Sequence, residues 1–123
     1  MPRKQAWTMS PGETLILAKS MSADLESSAS MAGNTPTVTI AQGNDVDGWT
    51  DYTSSFTIAS EQVNTSALTT EAGETIAIGK GIVFTLTATT TQGKYSVRLS
   101  CDADDGTTPT TDVVLYVKGP EAP

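Results

Sequence analysis

The stretch Gly93-Lys-Tyr-Ser-Val-Arg-Leu-Ser-Cys101 decides the fold. Apolar and polar residues alternate along it without a break, so that each kind occupies one face of an extended chain. The apolar set is Tyr95, Val97, Leu99 and Cys101, continued by Ala103, and the polar set is Lys94, Ser96, Arg98, Ser100 and Asp102. A period of two is typical of a β-strand with one buried side, whereas a helix would scatter these residues around its axis.

The entry to this strand predicts a particular contact. The Gly93-x-Tyr95 arrangement resembles the tyrosine corner of Greek-key sandwiches, in which the ring packs inward and the hydroxyl bonds back to the preceding connection. The alternative is an ordinary core tyrosine after an ordinary turn. We predict the corner, and with it a late strand that enters the core at Tyr95.

Six other segments have strand-like patterns separated by turn residues at a spacing that favours a sandwich. They are Glu13–Ser20, Thr35–Ala41, Ser55–Ser60, Thr75–Ile78, Ile82–Ala88 and Thr110–Lys118. No strand–helix–strand pattern is present, which argues against a parallel α/β fold. The sequence therefore predicts an all-β protein, an immunoglobulin-like Greek-key β-sandwich of about seven short antiparallel strands.

The 123 residues suit a single domain. We expect an extended N-terminal arm over residues 1–12, the sandwich over 13–119 and a C-terminal tail over 120–123. Residues 21–34 are expected to form a loop with at most one helical turn, because Met21, Leu25 and Ala29 recur every fourth position but serines interrupt them. Residues 42–51 are expected to be a polar connection.

The composition narrows the choice of partners. A net charge of −7 argues against nucleic acid, whose phosphates require clustered cations, and against anionic membrane surfaces. The single cysteine, Cys101, excludes an intrachain disulfide and lies in the apolar register, so we expect a small core residue. The absence of disulfides favours assembly in a reducing cytoplasm. The apolar run Leu15–Ala18 is too short for a signal peptide, and no stretch is long enough to span a membrane.

Catalytic and metal chemistry have little support. The chain contains no histidine, which removes Ser-His-Asp and Cys-His catalysis and the commonest zinc ligand. Two acidic clusters could offer oxygen ligands to calcium. The first is Asp102, Asp104 and Asp105, and the second is Asp45 and Asp47 with Asp51. Aspartate and glycine are also ordinary turn residues, and we favour that interpretation. We expect no cofactor and no enzymatic activity.

Three aromatic residues are candidates for binding. Trp49 and Tyr52 could stack on a sugar ring. Alternatively, Trp49 could fold back over one end of the sandwich, which we favour because tryptophan is usually buried. Trp7 is the one aromatic residue of the arm. It could pack on the domain's own core edge or on a partner, and we favour the first.

The chain resembles a group of small immunoglobulin-like accessory proteins from tailed-phage and prophage structural gene clusters. The resemblance rests on Phe84-Thr85 through Gly93-Lys94-Tyr95-Ser96-Val97, the polar turn Asp102–Gly106, the final strand Val113–Lys118, and the earlier Pro11-Gly12-Glu13 and Thr35–Ile40 segments. It covers about two-thirds of the chain and brings no catalytic residue with it.

The resemblance implies a non-enzymatic virion component, a capsid decoration or tail- or fibre-associated module assembled in the host cytoplasm. Its expected partners are other capsid or tail proteins and further copies of itself, without nucleic acid or membrane. The alternative function is a bacterial immunoglobulin-like adhesion or carbohydrate-binding module that uses the loop aromatics.

Overall fold

The structure is a computed structural model that describes residues 6–22, 25–26, 28–44, 46, 48–70 and 73–118. This part of the chain is all-β, with ten strands and one short 3-10 helix, at Thr53–Ser55. The strands are β1 (Ala6–Met9), β2 (Thr14–Ser20), β3 (Thr37–Asn44), β4 (Gly48–Asp51), β5 (Thr57–Val63), β6 (Leu68–Thr69), β7 (Thr75–Ile76), β8 (Gly81–Thr87), β9 (Gly93–Ser100) and β10 (Thr110–Val117).

The strands form two main sheets and a small hairpin. Sheet A has the order β1-β10-β9-β3-β4, sheet B the order β2-β8-β5, and β6 pairs with β7. All of these pairings are antiparallel except β1 with β10, which is parallel. The fold is therefore sandwich-like, as the alternating sequence patterns predict. The expected number of seven strands is not confirmed, because β1, β4 and β6 lie outside the predicted segments.

One core lies between sheets A and B, and the predicted inward faces supply most of it. From β9 and its continuation it contains Tyr95, Val97, Leu99, Cys101 and Ala103, from β8 it contains Ile82, Phe84 and Leu86, and from β10 it contains Val113, Leu115 and Val117. The buried thiol of Cys101 confirms its prediction as a core residue. Burial, and secondarily the charge of Asp102, raises the pKa of this thiol.

The tyrosine corner is present at the start of β9. Tyr95 is 3% exposed, and its hydroxyl donates a hydrogen bond of 3.0 Å to the carbonyl oxygen of Thr91, four residues upstream. The ring meets Phe56 edge-on at a centroid distance of 5.0 Å and Tyr52 at 5.8 Å. The hydroxyl thereby holds the connection between β8 and β9 against the strand that follows it.

Residues 6–9, expected within the extended arm, form β1 at the edge of sheet A. Ala6 to Met9 pair in parallel with Val114 to Val117 of β10. Trp7 and Met9 point into the core, where Trp7 meets Phe84 edge-on at 5.7 Å. Residues 1–5 and the expected C-terminal tail over 120–123 lie outside the described residues.

The connection between β2 and β3 lines one end of the core without an α-helix in its described residues. Met21, Leu25, Ala29 and Met31 are all buried. The turn at residues 79–81 holds this connection through backbone bonds of Met31 N–H to Gly79 O and Met21 N–H to Lys80 O, at 2.9 and 2.8 Å. The apolar residues at every fourth position, Met21, Leu25 and Ala29, are thus buried by a loop that is hydrogen-bonded to this turn, and not by a helix.

Asn64 is the one polar side chain among the described residues that is buried with the core, at 4% exposure. Its amide nitrogen donates to the carbonyls of Ser66, Ile76 and Ala77, and its amide oxygen accepts the Gly81 N–H at 3.0 Å. These bonds tie the β6–β7 hairpin to the start of β8. The strand predicted over Thr75–Ile78 ends at Ile76, so Ile78 is exposed instead of sharing its face.

Candidate binding surface on sheet A

The outward side of sheet A carries the candidate site, which we call the outer face. Strand alternation sends the polar set of β9 to this side while Tyr95 and Val97 enter the core. The register then fixes its neighbours in rows across the sheet, because paired residues point to the same side. Thr39, Arg98 and Asp112 form one row, and Ala41, Ser96 and Val114 form the next.

A solvent-open groove of about 820 Å³ lies on the outer face. Small side chains form its floor, because Gly43, Ala41 and Ser96 leave space above the sheet. Larger polar groups border it, including Gln42, Lys94, Arg98 and Asp112, with Trp49 on the β4 side. The volume falls within the usual range for binding pockets.

Trp49 lies on the outer face because β4 folds back along β3. The register pairs Trp49 with Gly43, whose φ of 142° suits glycine. A Cβ on Gly43 would lie 2.2 Å from the carbonyl oxygen of Gly48, so no other residue fits this position. The Trp49 side chain remains 53% exposed. The interpretation in which Trp49 covers one end of the sandwich is therefore wrong.

Arg98 and Asp112 form a two-pronged ion pair across β9 and β10. Arg98 donates from Nε to Asp112 Oδ1 at 2.9 Å and from Nη2 to Asp112 Oδ2 at 3.3 Å. The hydrogen bond, and then the charge of Asp112, raise the pKa of the Arg98 guanidinium above its ordinary value. Both side chains are substantially exposed, so the pair contributes little to stability. Its geometry fixes a planar guanidinium at the border of the groove.

The other two aromatic candidates are not on this surface. Tyr52 is half-buried against Tyr95 and the core, on the opposite side of the sheet from Trp49. Trp7 is 8% exposed and contacts Phe84. The structure therefore does not bring Trp49 and Tyr52 together as the walls of one sugar site. It places Tyr116, which the sequence did not single out, on the outer face at 40% exposure.

The acidic cluster at residues 102–105 satisfies its own turn and the neighbouring loop. Asp105 Oδ1 accepts from the hydroxyl and the N–H of Thr107, which lower the pKa of Asp105 in that order. Asp104 Oδ1 accepts the Ser30 N–H at 2.9 Å, and Asp102 Oδ1 accepts the Thr108 hydroxyl at 3.0 Å. Within the described residues, no group of three or more acidic, cysteine or histidine side chains is arranged to hold a metal. Asp45 and Asp47 lie outside the described residues.

The outer face can bind in two ways. Trp49 and Tyr116 offer exposed aromatic surface, and Arg98, Lys94 and Gln42 offer hydrogen-bond donors around a floor of small residues. Aromatic and arginine side chains are the types that dominate protein–protein contacts. An indole beside polar groups can also stack on a sugar ring. The alternating polar residues of β9 predicted an exposed face from the sequence. The groove on that face could not be predicted in this way, because it depends on the pairing of β3 with β4.

No protein-family model matches the chain, and no curated protein sequence is significantly similar to it. None of the helices in the described residues has the length and apolar character needed to cross a membrane.

Proposed function

We propose that the chain is an immunoglobulin-like Greek-key domain that serves as a non-enzymatic structural module of a tailed-phage particle. In this proposal it works by contact with other capsid or tail proteins. The outer face of sheet A makes the contact, with Trp49, Tyr116 and Arg98 as its principal residues. The exposure of Trp49 at the border of the groove is the observation that carries the proposal.

The strand order supports the immunoglobulin-like part. In such domains strands G, F and C, extended by C′ in variable-type members, face a sheet that contains B, E and D. The order β10-β9-β3-β4 against β2-β8-β5 follows the same sequence of neighbours. The corner at Tyr95 falls near the start of β9, which occupies the place of strand F.

The resemblance described above supports the virion part, and the outer face supports protein contact. Interface cores favour aromatic residues and arginine over lysine, glutamate and aspartate. Trp49 and Tyr116 are both exposed on the outer face, and the floor of small residues in the groove that Trp49 borders would accept protruding side chains of a partner. The absence of histidine from the whole sequence supports the non-enzymatic part.

Mass spectrometry of purified phage particles from a genome that encodes this chain tests the proposal. We expect its peptides in particles, in amounts comparable with those of other structural proteins. Trp49→Ala and Arg98→Ala should reduce incorporation while leaving the melting temperature nearly unchanged. Ile78→Ala, at an exposed apolar residue away from the outer face, is the matched control and should be incorporated normally. Particles that lack the chain would contradict the proposal.

A second candidate function is carbohydrate binding, which is favoured by an exposed indole in the same groove as Gln42, Lys94 and Asp112. If this candidate is correct, the protein binds a glycan, Trp49→Ala abolishes that binding, and Trp49→Phe largely retains it. Tyr52→Phe should leave binding unchanged, because Tyr52 lies on the core side of the sheet. A glycan array that stays blank at high protein concentration would exclude this candidate.

A further inference from the structure

The edge strand β2 differs from the other sheet edges in the described residues. β5, at the opposite edge of sheet B, is interrupted by a bulge between Ala59 and Gln62, with Ser60 at a φ of 56°. β1 and β4, at the edges of sheet A, are four residues long. β2 runs for seven residues in unbroken register with β8, without proline or a bulge. Long regular edges of this kind are templates for strand pairing, and the other edges show features that prevent it.

The hydrogen-bond pattern shows which backbone groups of β2 face outward. The Ala88 N–H donates to Glu13 O and the Met21 N–H donates to Lys80 O, both at 2.8 Å. In an antiparallel ladder bonded pairs alternate with non-bonded pairs. Odd-numbered residues of β2 therefore bond to β8, and the N–H and C=O groups of Thr14, Ile16 and Ala18 point away from it.

We propose that β2 pairs antiparallel with β2 of a second copy of this chain, about a two-fold axis at Ile16. This register makes Ile16 a bonded pair with its own counterpart and makes Thr14 and Ala18 bonded pairs across the axis. All the outward groups of these three residues are then used. Two copies of the three-stranded sheet B become one continuous sheet, with the same surface on both partners, as a two-fold interface requires.

Charge complementarity favours this register over others. It also favours a second copy of the chain as the partner that pairs with β2. A lysine on an edge strand usually discourages pairing, and β2 carries Lys19. In the register centred on Ile16, however, Lys19 of one copy lies opposite Glu13 of the other. Directly opposite residues have Cβ atoms about 4.5–5.5 Å apart, within reach of an ion pair. A shift of the axis to Leu17 would place Lys19 opposite Leu15 and lose both ion pairs.

The side chains along β2 fit the same arrangement. Leu15 lies opposite Leu17 of the second copy, on the side of the sheet that faces the core. Ile16 is 75% exposed in the single chain, and its counterpart would cover it. The Glu13 carboxylate is already oriented by the Ser10 N–H, which donates to Oε1 at 2.9 Å. A carboxylate has further acceptor sites for the lysine of the second copy.

This inference adds self-association to the proposed protein-contact function and is tested without any phage partner. Sedimentation equilibrium of the purified full chain should give twice the 12.8 kDa monomer mass. Ile16→Lys should give a folded monomer with the β-sheet circular dichroism of the wild type, because two lysines would meet on the axis. Ile78→Lys is the matched control: it makes the same change at another exposed isoleucine and should remain dimeric.

Charge reversal tests the register. Glu13→Lys or Lys19→Glu alone should weaken dimerisation about tenfold, because two symmetric like-charge pairs replace two ion pairs. The double variant should recover the wild-type constant. A wild-type monomer at several hundred micromolar, an Ile16→Lys variant that remains dimeric, or a double variant no better than the singles would overturn the proposal. None of these outcomes bears on whether particles contain the chain.

Discussion

Tyr95 combines a buried ring with a hydroxyl that has one specific partner, the Thr91 carbonyl. Tyr95→Phe keeps the ring contacts with Phe56 and Tyr52 and removes only the hydrogen bond. We expect a loss of about 1 kcal/mol in the free energy of unfolding, measured by urea denaturation. Tyr116→Phe removes an exposed hydroxyl and should change stability by less than about 0.5 kcal/mol. Equal effects of the two substitutions would contradict the corner's role.

The same hydroxyl predicts a pH dependence. Burial, and then the neighbouring Tyr52, raise the pKa of Tyr95 above its ordinary value. The neutral form is therefore favoured in the folded state. Its contribution to stability is complete below the unfolded pKa of about 10 and is lost as the pH rises through the folded pKa. The urea concentration at the unfolding midpoint should decrease as the pH rises through that alkaline range, and it should decrease less steeply for Tyr95→Phe. If the midpoints of the two proteins decrease in parallel, ionisation of Tyr95 is not the cause.

Asn64 joins three segments through a single amide. Asn64→Ala would leave the buried Gly81 N–H without an acceptor and would remove the donors to Ser66, Ile76 and Ala77. An unsatisfied buried group typically costs about 1–3 kcal/mol, so we expect a loss near 3 kcal/mol. The control is Gln62→Ala, two residues earlier and exposed, which should be nearly neutral. A urea midpoint for Asn64→Ala close to that of Gln62→Ala would contradict the assignment.

At the scale of elements, the 79–81 turn holds the connection between β2 and β3. Gly79 has a φ of +77°, and a Cβ there would lie 2.3 Å from Ser30 Oγ, which also accepts the Ala32 N–H. Gly33 has a similar φ of +87° with open space around it. Gly33→Ala should therefore cost about 1 kcal/mol of backbone strain, and Gly79→Ala about 1–3 kcal/mol more. Equal losses of stability for the two variants on urea denaturation would show that the β2–β3 connection does not pack tightly against this turn.

The sequence predicted those elements whose burial is set by their own alternation. β9 alternates without a break, and every second residue of β8, β9 and β10 lies in the core as predicted. β1 was expected in an arm, since its parallel pairing depends on β10, about a hundred residues later. β4 was assigned to a polar connection, because Gly43 and Gly48 are turn residues in any local interpretation. Pairing between distant or glycine-rich segments has no local signal strong enough to predict it.

At the scale of the whole molecule, the candidate site also combines features that a local pattern predicts with features that depend on long-range strand pairing. Arg98 and Lys94 could be assigned to an exposed face from the β9 pattern alone. The groove could not be predicted, because it requires the register that pairs Ala41 with Ser96 and Gly43 with Trp49. Tyr52 was grouped with Trp49 by nearness in sequence, but Trp49 points outward from β4, whereas Tyr52, directly after the end of β4, packs against Tyr95 on the core side. Sequence proximity is a poor guide to a surface assembled from four strands.

The two main sheets are joined at one edge by the N-terminal strand, since β1 belongs to sheet A while the chain continues directly into β2 of sheet B. Trp7 crosses between them to meet Phe84 of sheet B at 5.7 Å. If this contact holds the layers together, Trp7→Ala should cost about 3 kcal/mol with an unchanged denaturant slope. Thr8→Ala, in the same strand but exposed, should be nearly neutral.

The two tryptophans of the chain allow that prediction to be followed by fluorescence. In a Trp49→Phe background the remaining emission comes from Trp7 alone, and burial requires it to be blue-shifted in the folded state. Its red shift should then coincide with the loss of β-sheet circular dichroism, because β1 separates only when the sandwich unfolds. A Trp7 transition at lower urea than the circular dichroism transition would show that β1 detaches independently. In that case β10, and not β1, would be the edge strand of sheet A on which the stability of the core depends.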